Sequence, residues 1–205
     1  MQDFRRMFPK VEAIFLLAVY GGVFPILCFL IGWWGSIPIL TESFIKYAAL
    51  IGFLLGILID ILFLRRWIAR AYDMSLVWLG LIYIFYSAGL FGFFMGVPVF
   101  NVLLGIFAGF YMGLRMAQKN VDETQARQVF KRAGLFTAVV LFVICCAALW
   151  MAFMDASLAA NINGMLALQT PLSRNTILIL SSVGGVTIVA LEYYLTRRFA
   201  MRAYR

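Results

Sequence analysis

The sequence has 205 residues, of which 64% are hydrophobic and only 13% are charged, so it is not that of a soluble domain, whose surface must face water. It contains no histidine, the commonest metal ligand and proton shuttle in proteins, so neither a haem- or zinc-dependent function nor any other cofactor is predicted. The net charge of +8 does not indicate a nucleic-acid-binding protein, because the basic residues follow a membrane pattern described below.

Six apolar segments are long enough to cross a membrane, since a spanning helix needs about 20 mainly apolar residues. They predict an all-α, polytopic membrane protein with a single integral membrane domain over 1–205 and no separate soluble domain. The predicted spans are roughly 12–34, 45–64, 74–95, 97–115, 133–154 and 175–196.

The first span follows basic residues, as a secretory signal would, but we predict that it is retained. It is about 23 residues long and ends in the aromatic stretch Gly32–Gly35, which is typical of a membrane-interface anchor. Gly21 and Gly22 precede Pro25, whose ring leaves a carbonyl one turn earlier without its N–H donor. A kink or break is therefore predicted in this span.

The second span contains the spacing Gly52-x-x-x-Gly56-x-x-x-Asp60, which puts the carboxylate on the same helix face as the two glycines. Small residues allow helices to approach closely in lipid, so this face is predicted to pack against a helix or to dock a partner. Asp60 precedes Arg65 and Arg66, so we place it near the cytoplasmic end, where it hydrates or pairs with an arginine of a neighbouring helix. Lining a polar cavity is the open alternative.

The third and fourth spans carry polar side chains at mid-depth or on the outer side. Tyr83, Tyr86 and Ser87 share one face of the third span, at positions i, i+3 and i+4. Asn101 and Tyr111 belong to the fourth span. These five residues are the predicted ligand-binding set, with interhelical hydrogen bonding as the alternative role.

The fourth span also contains the strongest local pattern, Gly105-x-x-x-Gly109-x-x-x-Gly113. Three glycines one turn apart form a groove that is typical of tight helix packing, within the chain or with a partner.

In the sixth span, Glu192 lies five residues before Arg197, and we expect both to be charges of the cytoplasmic end, as for Asp60.

Two connections are long enough for a role of their own. Residues 116–132 are polar and are predicted to be a connecting helix capped by Asn120 or Asp122, with a regulatory or partner-binding role as the alternative. Residues 155–174 are predicted to be a short helix on the outer surface, a lid over an outer cavity or a partly ordered loop.

The basic residues predict the orientation. When the tails and loops are assigned to alternate sides of the membrane, 15 of the 17 Lys and Arg residues fall on one side and 2 on the other. The positive-inside rule assigns the side with 15 to the cytoplasm. The chain is therefore predicted to be integral to the plasma (inner) membrane, with both termini cytoplasmic, and to contact anionic lipids.

The segment GFLLGILIDILF, residues 52–63, resembles a G-x-x-x-G-x-x-x-D helix of two groups of small bacterial membrane proteins. These are the substrate-binding S-components of energy-coupling-factor transporters and the rod-shape protein MreD. The first resemblance implies a small vitamin or metal bound toward the outside and helices that dock on a coupling subunit. It covers about a dozen of 205 residues, and the alanine-rich docking face of the S-component first helix is not matched, since Ala13, Ala18, Gly21 and Gly22 have other spacings.

The leading functional prediction is a non-enzymatic transport component that binds a small solute in an outward-facing cavity of spans one, three, four and six. The first alternative is a scaffolding subunit that docks membrane proteins through its glycine faces, as part of a complex or a homo-oligomer. The second is an intramembrane enzyme acting on lipid through Asp60, Glu192 and Arg115. An enzyme is less favoured, because without histidine the usual nucleophile–base arrangements are not available.

Overall fold

The computed structural model describes residues 9–94, 96–155, 157, 160, 163 and 172–205. These residues are largely helical and include no β-strand. Six helices are long and apolar enough to cross a membrane, which confirms the predicted all-α, polytopic fold class. They are Glu12–Ser36, Glu42–Ala69, Leu76–Phe93, Pro98–Gln118, Glu123–Met154 and Arg174–Tyr204.

The helices are numbered here in chain order. They are α1 (Pro9–Gly21), α2 (Val23–Ser36), α3 (Glu42–Ala69), α4 (Leu76–Phe93), α5 (Asn101–Gln118), α6 (Glu123–Met154) and α7 (Arg174–Tyr204). Short 3-10 turns, Ala71–Asp73 and Pro98–Phe100, precede α4 and α5. The first predicted span corresponds to α1 and α2 together, and the other five correspond to α3 to α7.

The helix ends differ from the predicted span ends in a consistent way. Helices α3, α6 and α7 extend beyond 45–64, 133–154 and 175–196, because polar and basic residues continue each helix past its apolar stretch. The predicted connection 155–174 lies mostly outside the described residues.

Contacts divide the chain into two compact units, unit 1 ending at Leu76 and unit 2 comprising Val77–Arg205. The expectation of one integral domain over 1–205 stays a prediction. Unit 1 contains α1, α2 and α3. Its first span is interrupted at Gly22, as the two glycines and Pro25 predicted.

Helices α2 and α3 of unit 1 pack antiparallel through glycines. A Cβ atom on Gly52 would overlap the carbonyl oxygen of Cys28, and one on Gly56 would lie 2.5 Å from the Cα atom of Pro25. On the other helix, a Cβ on Gly32 would lie 2.5 Å from the carbonyl oxygen of Ala48. The two backbones are therefore close enough that only glycine fits at these positions.

Unit 2 contains α4 to α7, and its most extensive contact is between α5 and α7. Along that contact Gly105 meets Glu192, Gly109 meets Thr196 and Gly113 meets Ala200. Each step of four residues along α5 is therefore matched by a step of four residues in the same direction along α7. The two helices therefore run parallel. Helix α6 packs antiparallel to α7, with Gly134 beside Tyr193 and Gly185 beside Cys145.

The polar connection 116–132 is divided between two helices. Helix α5 ends at Gln118, and Glu123 begins α6, so the second half of the connection forms the first turns of the long α6. Asp122 caps α6, since its carboxylate accepts a hydrogen bond of 3.0 Å from the backbone N–H of Thr124. Of the two predicted caps, Asp122 has this role.

Candidate functional site

A buried polar cluster lies inside unit 2, where four helices meet. We call it the Glu192 cluster, and its members come from α4, α5, α6 and α7. They are Tyr83, Ser87, Asn101, Thr137, Glu192 and Thr196. Glu192, Asn101 and Thr196 are each 0% exposed, which is unusual for polar side chains unless they are hydrogen-bonded or functional.

Glu192 is held between α4 and α5. The hydroxyl of Tyr83 donates a hydrogen bond to Oε1 of Glu192, and the Tyr83 ring packs against Phe136 with centroids 5.7 Å apart. On the α5 side, the absent side chain of Gly105 makes room for the carboxylate. A Cβ atom there would lie 2.5 Å from Cγ of Glu192. Tyr83 and Gly105 together fix the position of the Glu192 side chain.

Thr137 and Thr196 continue the cluster toward α6. The hydroxyl of Thr137 donates to the carbonyl of Gly134 at 3.1 Å, so its single proton is used. The two threonine hydroxyls are 3.1 Å apart and share a hydrogen bond. A hydroxyl oxygen has two acceptor lone pairs, and that of Thr196 borders Gly105, where a Cβ would lie 2.9 Å from it.

Three buried oxygens of the cluster have no hydrogen-bond partner among the described residues, and one of them is Oγ of Ser87. Asn101 donates a hydrogen bond of 2.9 Å from its amide nitrogen to the backbone carbonyl of Ser87, but its Oδ1 atom accepts none. Oε2 of Glu192 is likewise buried and without a hydrogen-bond partner. Unsatisfied buried polar atoms cost free energy, so these three oxygens favour a bound species over simple packing.

The surroundings of Glu192 differ from those expected for a charge of the cytoplasmic end. Glu192 is fully buried, and its described partner is Tyr83, whereas hydration or pairing with an arginine was expected. Arg197 instead donates a hydrogen bond of 3.2 Å to the hydroxyl of Tyr193. The described cluster contains no arginine from a neighbouring helix, and Arg197 itself lies about 140° around α7 from the face that carries Glu192.

The structure gathers three of the five predicted ligand residues, Tyr83, Ser87 and Asn101, into this cluster. Tyr86 is half-buried, with its ring edge against Phe85 at 5.6 Å. Tyr111 is buried on α5, about 200° around that helix from Gly109, so it belongs to another face.

Sequence reasoning missed Thr137 and Thr196, because isolated threonines are common in apolar helices. The usable signal is the spacing Glu192-x-x-x-Thr196-x-x-x-Ala200, which matches the spacing of the three glycines on α5. Two helices with the same four-residue period place their residues opposite one another when they run parallel.

A second buried carboxylate lies in unit 1. Asp60 is 7% exposed and shares the buried face of α3 with Gly52 and Gly56, the face on which the sequence placed it. Its Oδ2 atom lies 3.9 Å from the position of a Cβ on Gly21, next to the interruption of the first span, and its Oδ1 atom has no hydrogen-bond partner. Arg65 and Arg66 are exposed and form no described ion pair with it.

A groove on unit 1 has a different chemical character. It is mainly apolar, and the side chains that line it come from α2 and α3. They are Ile26, Phe29, Trp33, Lys46, Tyr47, Ala49, Leu50 and Phe53. A lining of this kind suits an acyl chain better than a polar solute.

Comparison with protein-family models, with curated proteins and with solved structures finds no match for this chain. The resemblance of residues 52–63 to S-components and to MreD therefore stays a prediction from those residues.

Proposed function

We propose that the chain is a non-enzymatic membrane transport component for a small solute, and that the Glu192 cluster binds this solute or the ion coupled to its transport. The observation that carries this proposal is a fully buried carboxylate, inside a span-length helix, with one oxygen unpaired. Such a group is costly in a bilayer, and ionisable residues within spans mark substrate pathways, ion pathways and proton relays. A purely structural helix contact does not need a buried carboxylate.

The scaffolding alternative has less support from the packing. It relied on partner docking through the glycine faces of the second and fourth spans. Gly52 and Gly56 are filled by α2, and Gly105, Gly109 and Gly113 by α7. A partner could use these faces only if the helix pairs separated, so docking through them competes with the fold itself.

The lipid-enzyme alternative relied on Asp60, Glu192 and Arg115, of which the last two belong to unit 2. Glu192 contacts Gly105, and Arg115 lies ten residues further along the same helix, a rise of about 15 Å. Arg115 is itself buried, with Nε and Nη1 unpaired, but this separation is too large for the two side chains to act on one bond.

The proposal includes the predicted orientation, with both termini cytoplasmic in the inner (plasma) membrane. The division of Lys and Arg into 15 and 2 supports it. The parallel register of α5 and α7 supports only the alternation of spans that this topology needs, since the fourth and sixth spans run in the same direction. An energy-coupling membrane subunit is the partner that this function would require.

Native mass spectrometry of the gently solubilised protein tests the function. We expect the wild type to carry a small molecule, and Glu192→Gln to lose most of it. Glu123→Gln is the matched control, because Glu123 is an exposed carboxylate paired with Arg127. A stable protein partner with no small molecule in any of the three samples would refute the transport proposal and favour the scaffold.

A further inference from the structure

We propose that the Glu192 cluster binds a monovalent cation, a proton or Na⁺, taken up from water. The inference rests on the proposed function for its biological role, because it names the species that the same site binds. Binding itself is a separate property, and it can be measured on the purified chain without a solute or a partner.

The unpaired atoms of the cluster define the chemistry of the ligand. Oε2 of Glu192 and Oδ1 of Asn101 are acceptors without a donor, and Thr196 retains an acceptor lone pair beside the carboxylate. The Ser87 hydroxyl, which can donate or accept, is also unpaired, whereas no described cluster residue has an unpaired N–H. A site made of oxygen acceptors selects a cation and rejects an anion.

Charge balance indicates that this cation comes from outside the protein. Helix α4 presents Tyr83 to Glu192, α5 presents Gly105 and α6 presents the thiol of Cys145. None of these groups is positively charged. On α7 itself, the nearest arginine is Arg197, which is bonded to Tyr193 on another face. An isolated carboxylate in this environment costs several kcal/mol, so a bound cation stabilises it.

The packing limits the size and charge of the cation. An additional methyl group at Gly105 would lie 2.5 Å from Cγ of Glu192, so an organic ammonium does not fit there unless α5 and α7 separate. Glu192 is the one carboxylate among the described cluster residues. Divalent cations generally take several oxygen ligands with more than one negative charge, whereas a single carboxylate balances one positive charge.

The test measures thermal unfolding of the full chain in lipid nanodiscs. One arm raises NaCl at fixed pH, with choline chloride keeping the ionic strength constant, and the other lowers the pH without Na⁺. In the arm that supplies the bound cation, each tenfold increase above its Kd should raise the melting temperature by about 3–5 °C. A response in the first arm identifies Na⁺, and a response in the second identifies a proton.

Three variants make the result specific. Glu192→Gln should lose the response, and Glu123→Gln, an exposed carboxylate at the start of α6, should keep it. Thr196→Val keeps the shape of the side chain and removes an acceptor, so it should shift the titration midpoint about tenfold toward higher cation concentration. This last variant keeps the test decisive if Glu192→Gln does not fold.

Melting temperatures that change in neither arm, or that change equally in wild type and Glu192→Gln, would overturn the cation site. An unshifted midpoint in Thr196→Val would also count against it. The two proposals fail separately. A Glu192-dependent cation response in a protein that carries no solute by mass spectrometry would keep the cation site and refute the transport function.

Discussion

The hydroxyl of Tyr83 on α4 donates a hydrogen bond to the carboxylate of Glu192 on α7, 109 residues further along the chain. This contact joins the first and last helices of unit 2. Hydrogen bonds to carboxylates are among the stronger ones in proteins, and this one is shielded from water by burial of both side chains. It is therefore both a fold contact and the fixed part of the candidate site.

Tyr83→Phe should destabilise the protein, because it leaves Oε1 of Glu192 without its donor. We expect a loss of about 1–3 kcal/mol in the free energy of unfolding, measured in detergent micelles. Tyr47→Phe is the control, since Tyr47 is 53% exposed on α3. Equal stability of the two variants would show that the Tyr83 hydroxyl contributes nothing to the fold.

Gly109→Ala should destabilise the contact between α5 and α7. A Cβ atom on Gly109 would overlap the backbone carbonyl oxygen of Thr196, and a backbone atom cannot move aside as a flexible side chain can. We expect a loss of about 1–3 kcal/mol, the usual cost of overpacking, in the same unfolding measurement.

Gly89→Ala is the matched control for that variant. A Cβ on Gly89 meets no heavy atom within 4 Å, so the substitution adds helix propensity without a clash. Its stability should stay the same or rise by up to about 1 kcal/mol. Losses of similar size at Gly89 and Gly109 would mean that glycine matters there for a reason other than close helix approach.

The fold class was predictable from the sequence, because the length and apolarity of a spanning helix are set by the bilayer. The interruption at Gly22 was predictable from the chemistry of Pro25. The ends of α3, α6 and α7 were not, since helix propensity, and not apolarity, decides how far a helix continues into water.

The candidate site was predictable only in part. Tyr83 and Ser87 share a face by helical periodicity alone, and that face does enter the cluster. Their meeting with Glu192 depends on how α4, α5 and α7 pack, which is a long-range property. The sequence suggested water or an arginine of a neighbouring helix as the partner of Glu192, yet its described partner is the hydroxyl of Tyr83.

The cap at Asp122 should make the stability of the folded protein depend on pH. Hydrogen bonds from the side chain and backbone N–H of Thr124 lower the pKa of this carboxyl below its ordinary value. The carboxyl of Asp122 then binds a proton more tightly in the unfolded chain than in the folded one. The stabilisation that the cap gives is therefore present above about pH 4 and is lost as the pH falls through the lowered pKa. Asp122→Asn keeps a capping side chain that does not titrate.

The measurement for Asp122 is the difference in melting temperature between wild type and Asp122→Asn at several pH values. The wild type should lose more stability than the variant between about pH 5 and pH 2. Parallel curves over that range would show that the carboxylate form is not what caps α6.

Asp60→Asn should keep the fold and weaken assembly. The amide is nearly isosteric with the carboxylate, and Asp60 packs at the interruption of the first span, beside Gly21. Removing its charge changes the electrostatics of that junction without changing its volume, so we expect an unfolded fraction like that of wild type. Recovery of a membrane-protein partner in a pull-down should fall several-fold.

Glu42→Gln is the control for Asp60→Asn, since Glu42 is an exposed carboxylate at the start of the same helix. It should leave partner recovery unchanged, because a charge at the water interface is solvated in either state. If Asp60→Asn also leaves both detergent stability and partner recovery unchanged, Asp60 has no part in assembly. Its burial on the glycine face of α3 would then be a cost that the helix pair tolerates.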